Sequence, residues 1–277
     1  MIDLFYITNN LEEAKIVDDL DIDWIFIDLE TIGKKERQVG RNTVLSNHSI
    51  ADIDLIKGEI SHTKILVRCN PIGKWSEEEF SAINSKCSEI DMVILPYFKT
   101  LEEVKIFLEL LDFSKIEPAL LVETLGAISN LDEILNIFPF KYIHIGLNDL
   151  NIERGTVSMF EPFIDGLMKK IVFICKKNNQ NFGIGGIGKI GAELNPSPEC
   201  LLNEHIRLNS KGVILSRSFK GNFNEQTKDL FKKDLSKSLK DLRNYEKIAN
   251  SLDSLELLES YKFMKAKIEE SIRNENF

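Results

Sequence analysis

Two acidic residues stand at matching places in the chain. Glu123 closes the apolar run PALLVE, and Asp149 follows the run KYIHIGL within IHIGLNDL. The interval between them suits one helix and one strand, as in successive units of a parallel sheet. Carboxylates at adjacent strand ends meet in space. Two of them, with water and substrate filling the other positions, are a usual way to hold Mg²⁺, and Mn²⁺ fits as well. A cation so placed stabilises negative charge on a substrate oxygen. Either acid alone reads as a helix N-cap or a surface-loop residue; the matched pair is what points to a metal.

Other side chains extend that chemistry. Arg68 ends the run KILVRC, on the same strand face as Leu66. A guanidinium leaving a buried strand needs an anion, either a substrate carboxylate or enolate oxygen, or the carboxylate of Glu30. Glu30 ends WIFIDLE and is expected to orient Arg68 or a water on the cation. His48, in the long stretch after that run, reads as a general base or as a solvated loop histidine. His144 is expected to pack outside the sheet. Lys64 and Lys141 begin their strands, and Tyr97 follows Pro96, so lysine-dependent aldolase chemistry is disfavoured. The cluster NFGIGGIG has the spacing GxGGxG, with no acidic ribose ligand after a following strand. It reads as a place where a ligand approaches backbone rather than as a dinucleotide site.

The elements that must position these groups recur along the chain. Short apolar runs begin at Asp3, Trp24, Lys64, Asp91, Pro118, Lys141, Asn181 and Gly212, with helical patterns between them. Little polar alternation marks strands covered on both faces. Asn10, Ser76 and Thr100 read as helix N-caps ahead of acidic first turns. The repeat predicts a (β/α)₈ TIM barrel over residues 1–222, with a doubly wound sheet as the alternative. Alternation places Leu121 with Glu123 on one inward face, and Ile143, Ile145, Leu147 and Asp149 on another. The longer intervals at 30–48 and 151–162 follow strand ends and are expected to form a lid or substrate wall. A helical extension occupies 223–277. Its stripe of Phe231, Leu235, Leu239, Leu242, Tyr245, Ile248, Leu252, Leu255, Leu258, Tyr261 and Ile268 must be buried on its own barrel or on a neighbouring subunit.

Bulk properties set limits. The 277 residues are 43% hydrophobic and 29% charged, enough for one sizeable core. A net charge of −9 argues against nucleic acid or an anionic membrane as partner. No apolar run approaches the ~20 residues that span a bilayer. Cys69, Cys87, Cys175 and Cys200 show no metal or disulfide spacing, and the start of the chain shows no leader pattern, so a cytoplasmic protein is expected.

Taken in order, Glu30 in DWIFIDLE, Arg68 in RCNPIG, ILP at 94–96, Glu123 in LLVETLGAISNLDEI and Asp149 in IGLNDL resemble the HpcH/HpaI aldolase/citrate lyase family. That family is a branch of the phosphoenolpyruvate/pyruvate barrel superfamily, and the resemblance spans residues 1–220. It implies a Mg²⁺- or Mn²⁺-dependent barrel enzyme acting on a 2-oxo acid or an acyl-CoA, as a homo-oligomer. By the same resemblance Glu123 and Asp149 are metal ligands and Arg68 binds a substrate oxygen. Backbone groups of Gly146, Leu147, Asn148 and Asp149 receive the pyruvate carboxylate. Two features depart from the pattern: Tyr97 stands where citrate-lyase-like members often carry lysine, and TIGKKERQVGRNTVLSN separates the second strand from His48. The expected activity is that of a carbon–carbon lyase joining or releasing pyruvate and an aldehyde through a metal-stabilised enolate. One alternative is an acyl-CoA lyase of the citrate lyase beta type, with Lys34, Lys35, Arg37 and Arg41 as its nucleotide subsite. The other is a non-catalytic barrel serving as a binding or assembly module.

Overall fold

Each of the eight apolar runs forms a parallel strand: β1 Asp3–Ile7, β2 Trp24–Asp28, β3 Lys64–Arg68, β4 Met92–Leu95, β5 Glu117–Val122, β6 Tyr142–Ile145, β7 Phe182–Ile187 and β8 Gly212–Leu215. A computed structural model describes residues 1–20, 22–34, 47–138 and 140–275 of the chain. The strands pair in chain order, and β8 closes on β1. This is the (β/α)₈ barrel the alternation of elements predicts.

Strand alternation divides the apolar residues into two cores. Phe5, Trp24, Phe26, Leu66, Met92, Ile94, Ala119, Leu121 and Tyr142 fill the inside of the barrel. Ile25, Ile27, Ile65, Val67, Val93, Val122, Ile143 and Ile145 point outward into the larger core beneath the helices. The inward face predicted for β6 is therefore reversed. Its strand stops at Ile145, Gly146 caps the helix Leu147–Arg154, and Asp149 lies in that helix's first turn. A period of two cannot be carried through a helix start, so Tyr142 and His144, not Ile143 and Ile145, enter the barrel.

Those two inward side chains explain the glycines of β7. Tyr142 Oη lies 2.8 Å from His144 Nδ1, and His144 Nε2 lies 3.0 Å from the Gly185 carbonyl oxygen. A Cβ on Gly183 would sit 1.7 Å from Tyr142 Oη, so no larger residue fits there. Gly185 takes φ 47, a left-handed conformation that glycine adopts without strain. Within the cluster, Gly183 and Gly185 make room for a buried tyrosine–histidine pair.

Asn10 and Thr100 cap their helices through side-chain oxygens. Ser76 is instead the first residue of its helix, behind Trp75 at the cap, and its hydroxyl accepts from the Gly73 N–H at 3.0 Å. The interval after β6 holds the helix Leu147–Arg154 and a 3₁₀ turn, Glu161–Phe163, before the next barrel helix. The corresponding interval after β2 falls largely outside the described residues. Beyond β8, helices Lys228–Ser251 and Ser254–Glu275 fold back on the barrel. Phe231, Leu235, Leu239, Leu242, Met264 and Ile268 join the outer core, while Ile248, Leu255 and Leu258 of the stripe stay exposed. Glu246 accepts the Ile2 N–H at 2.6 Å and Arg243 donates to the Ile2 carbonyl at 2.7 Å, which ties the extension to the start of β1. Among the described residues no helix is long and apolar enough to cross a membrane.

Candidate active site

Asp28 ends β2 and Arg68 ends β3, and the ladder pairs them directly. Both lie on the inward face, so their side chains meet at the carboxyl-end rim. Arg68 Nε donates to Asp28 Oδ1 at 2.8 Å and Nη2 to Oδ2 at 2.6 Å, a two-pronged pairing. Its Nη1 lies 3.2 Å from Glu30 Oε2. Lys34 joins the same group, with Nζ 2.7 Å from Asp28 Oδ2 and 3.4 Å from Glu30 Oε2. Asp28, Glu30 and Lys34 are 4%, 1% and 5% exposed, a burial that charges tolerate only when matched. Burial would raise the Asp28 carboxyl, yet Arg68 and then Lys34 outweigh it and hold the group well below the usual carboxylate range. Burial likewise opposes the charge of Arg68, and Asp28 and Glu30 more than restore it.

Asp28 was absent from the residues singled out in the sequence. Its signal was present: in WIFIDLE it alternates with Trp24 and Phe26, the inward residues of β2.

The chain after β2 is fastened to the rim. Asn70 Oδ1 accepts from the Thr31 and Ile32 N–H groups at 2.9 and 3.0 Å. Asn70 Nδ2 in turn donates to Leu29 O at 3.2 Å and to Glu79 Oε1 at 2.9 Å. His48 also comes to this corner, where its Nδ1 accepts the Asp28 N–H at 2.9 Å. Burial lowers the pKa of the ring. With Nδ1 accepting, the neutral ring carries its proton on Nε2. The Nδ1 lone pair of His48, the residue expected as a general base, is thus engaged by the Asp28 N–H.

The second half of the rim lies at β5 and β6. Glu123 follows β5, is buried, and accepts the Tyr97 N–H at 3.0 Å. Tyr97 adopts φ 50, an unusual conformation for a residue with a Cβ. Gly146, cap of the helix carrying Asp149, gives Glu123 its seat: a Cβ there would lie 2.7 Å from Glu123 Oε2. The Glu123 carboxylate therefore sits over the first turn that holds Asp149, which is also buried. Glu123 also contributes to the field on Arg68, so the two halves face one mouth.

The donor set can be judged against a metal. Among the described residues no three His, Cys, Asp or Glu side chains gather as a cation site. Two hard carboxylates, one fixed against a glycine cradle, suit a divalent ion that takes its other ligands from water and substrate. They do not suit structural zinc. Leu147, Asn148 and Asp149 open the same helix, whose first-turn N–H groups favour an anion. Of the basic residues proposed for a nucleotide subsite, Lys34 is committed to Asp28 and Glu30, while Lys35, Arg37 and Arg41 lie outside the described residues.

No family model and no curated protein matches the chain. Solved structures do. A HpcH/HpaI aldolase/citrate lyase family protein from Burkholderia cenocepacia shares 12% identity, covering 87% of this chain and 95% of that one, with a TM-score of 0.59. RipC from Yersinia pestis shares 15% identity over 79% of this chain and 91% of its own, with a TM-score of 0.54. At such identity the likeness shows the fold alone: a (β/α)₈ barrel similar over most of its length to a member of the family that the rim motifs resemble.

Proposed function

We propose that the protein is a divalent-metal-dependent carbon–carbon lyase that interconverts a 4-hydroxy-2-oxo acid with pyruvate and an aldehyde. The observation that carries this reading is the opposed pair at one rim: Arg68 fixed by two carboxylates, and Glu123 seated over the helix start that bears Asp149. The fold likeness to a HpcH/HpaI aldolase/citrate lyase family protein supports it.

In this reading Glu123 and Asp149 hold the ion, Mg²⁺ or Mn²⁺. When bound, it supplies Lewis-acid charge at the 2-oxo oxygen. The N–H groups of the Leu147–Arg154 helix start receive the substrate carboxylate. Arg68 places a fixed positive charge beside the oxygen on which electrons collect as the C3–C4 bond breaks. One charge pair at 4 Å and an effective dielectric of 20 is worth about 4 kcal/mol, on the order of 10³ in rate. Glu30 and Asp28 keep that guanidinium from following the substrate. His48 accepts the Asp28 N–H and so helps hold the carboxylate that fixes Arg68, and the substrate hydroxyl gives its proton to water.

The test is pyruvate release from a panel of 4-hydroxy-2-oxo acids, with and without Mg²⁺ or Mn²⁺. Release that requires the ion and is abolished in Arg68→Ala and Asp149→Asn, both still folded, is the expected result. Full activity in a chelator, or in either variant, would overturn the proposal.

A further inference from the structure

We propose that His144 is a positioning residue for this site: through a bulge in β7 it fixes the helix start whose N–H groups receive the substrate carboxylate. The inference rests on reading the rim as a 2-oxo acid site. Its first link is the bulge itself. From Gly183 to Gly186 β7 advances three residues, while β8 advances two, from Gly212 to Ile214. The extra residue is accommodated with Gly185 in the left-handed conformation, and the Gly185 carbonyl oxygen meets His144 Nε2 at 3.0 Å inside the barrel. A carbonyl only accepts, so Nε2 carries a proton. Burial lowers the pKa of His144 to about 4, which leaves the ring neutral at pH 7 and Nδ1 with a lone pair. The Tyr142 hydroxyl donates to that lone pair at 2.8 Å. Both ring nitrogens are thereby engaged, and a ring flip would break both bonds.

Leu147 is the second link. It is the first residue of the helix Leu147–Arg154 and is buried. A Cβ on Gly185 would lie 2.7 Å from Leu147 Cδ1, so the bare Cα of Gly185 is the seat of the Leu147 side chain. Gly146, one residue earlier, seats Glu123 in the same manner. The helix start is therefore held from two sides, from β5 through Glu123 and from β7 through Leu147.

Glycine at 183, 185 and 186 leaves this stretch of β7 with little preference of its own for one conformation. The bond from His144 selects the one in which Leu147 is seated. Backbone N–H groups have no torsion of their own with which to follow a ligand, and a misplacement of about 1 Å can cost on the order of 10² in rate. Asp149, on the same helix turn, keeps the freedom of its side-chain torsions to stay with an ion. A loosened seat at Gly185 thus weakens the hold on an anion more than the hold on a metal.

The experiment uses the full chain with Mn²⁺ and oxalate, a planar dianion whose oxygens stand in for the enolate. Affinities for both are measured by calorimetry on wild type, His144→Leu, His144→Gln, Leu147→Ala and the double variant His144→Leu with Leu147→Ala. His144→Leu is expected to weaken oxalate at least fivefold and Mn²⁺ less than twofold. His144→Gln, whose amide N–H can reach the same carbonyl, should restore most of the loss. The double variant should bind oxalate about as well as the weaker single variant, because both changes act on one seat. A smaller oxalate loss in His144→Leu, an equal loss of Mn²⁺, no recovery in His144→Gln, or losses that multiply in the double variant each overturn the role of His144 and leave the site reading standing. A wild type that binds no oxalate overturns the site reading and this inference with it. Should His144→Leu not fold, Tyr142→Phe decides, since it removes only the hydroxyl that orients the ring: an oxalate loss of threefold or more supports the role, and a smaller one refutes it.

Discussion

The two ends of the barrel carry similar residues in opposite settings. At the amino end Asp3, Lys64, Glu117, Lys141 and Lys211 surround a cavity of about 560 Å³ floored by Phe5, Trp24 and Tyr142. Those charges are exposed and loosely matched, as Lys141 Nζ and Glu117 Oε1 at 3.6 Å illustrate. At the carboxyl end Asp28, Glu30, Lys34 and Glu123 are buried, and Arg68 nearly so. Cavity size would point to the amino end, or equally to a second hollow of about 560 Å³ beside Leu125, Arg154 and Asp165. The cost of burying charge points the other way, because desolvated ions persist only where partners or function hold them. The difference teaches that the better guide to a candidate site in this barrel is burial of matched charge, not empty volume.

The sharpest way to break the comparison is to remove one charge from each end. Asp28→Ala takes a shared carboxylate from Arg68 and Lys34, and should cost about 3–5 kcal/mol in urea unfolding, the usual cost of breaking a buried pair. An effect under 1 kcal/mol would put the two ends on the same footing. Next in size is Gly146→Ala, which keeps an extended cap conformation but displaces Glu123. Turnover should fall about a hundredfold with the fold intact, read by pyruvate release beside circular dichroism.

Between the two ends, His144 offers a pH test. Burial lowers its pKa to about 4, whereas an exposed histidine titrates near 6.5. The unfolded chain takes up a proton between these values that the folded chain refuses. The neutral form thus stabilises the fold fully above about pH 6.5, and that contribution falls away towards about pH 4. Urea titrations at pH 6 and pH 5 should show His144→Gln losing less stability across that step, by up to about 1.4 kcal/mol. The smallest effect belongs to the amino end. Lys141→Ala removes an exposed pair and should change stability by less than about 1 kcal/mol.

The strands were readable because burial on both faces leaves continuous apolar runs, and their number and spacing predict closure. Glu123 was readable for the same reason, since β5 runs regularly up to it and alternation holds. Asp149 does not lie on the strand face that alternation predicts, because Gly146 ends the strand and a helix turn carries the acid. That one boundary also reversed His144, which alternation counted back from Asp149 sends outside. Lys34 was out of reach. Its burial depends on Asn70, a residue contributed by the chain beyond β3, and on the turn at Gly33, neither of which periodicity encodes. His48 was placed near the rim by sequence, but which nitrogen it engages is a matter of tertiary hydrogen bonding.

The most direct test of the central claim is a Mn²⁺ titration followed by the loss of the free-ion paramagnetic resonance signal, on wild type, Glu123→Gln and Asp149→Asn. The account predicts one ion bound per wild-type chain and at least tenfold weaker binding in each variant, with unchanged far-ultraviolet dichroism. Equal binding by all three proteins, or none by the wild type, would contradict it.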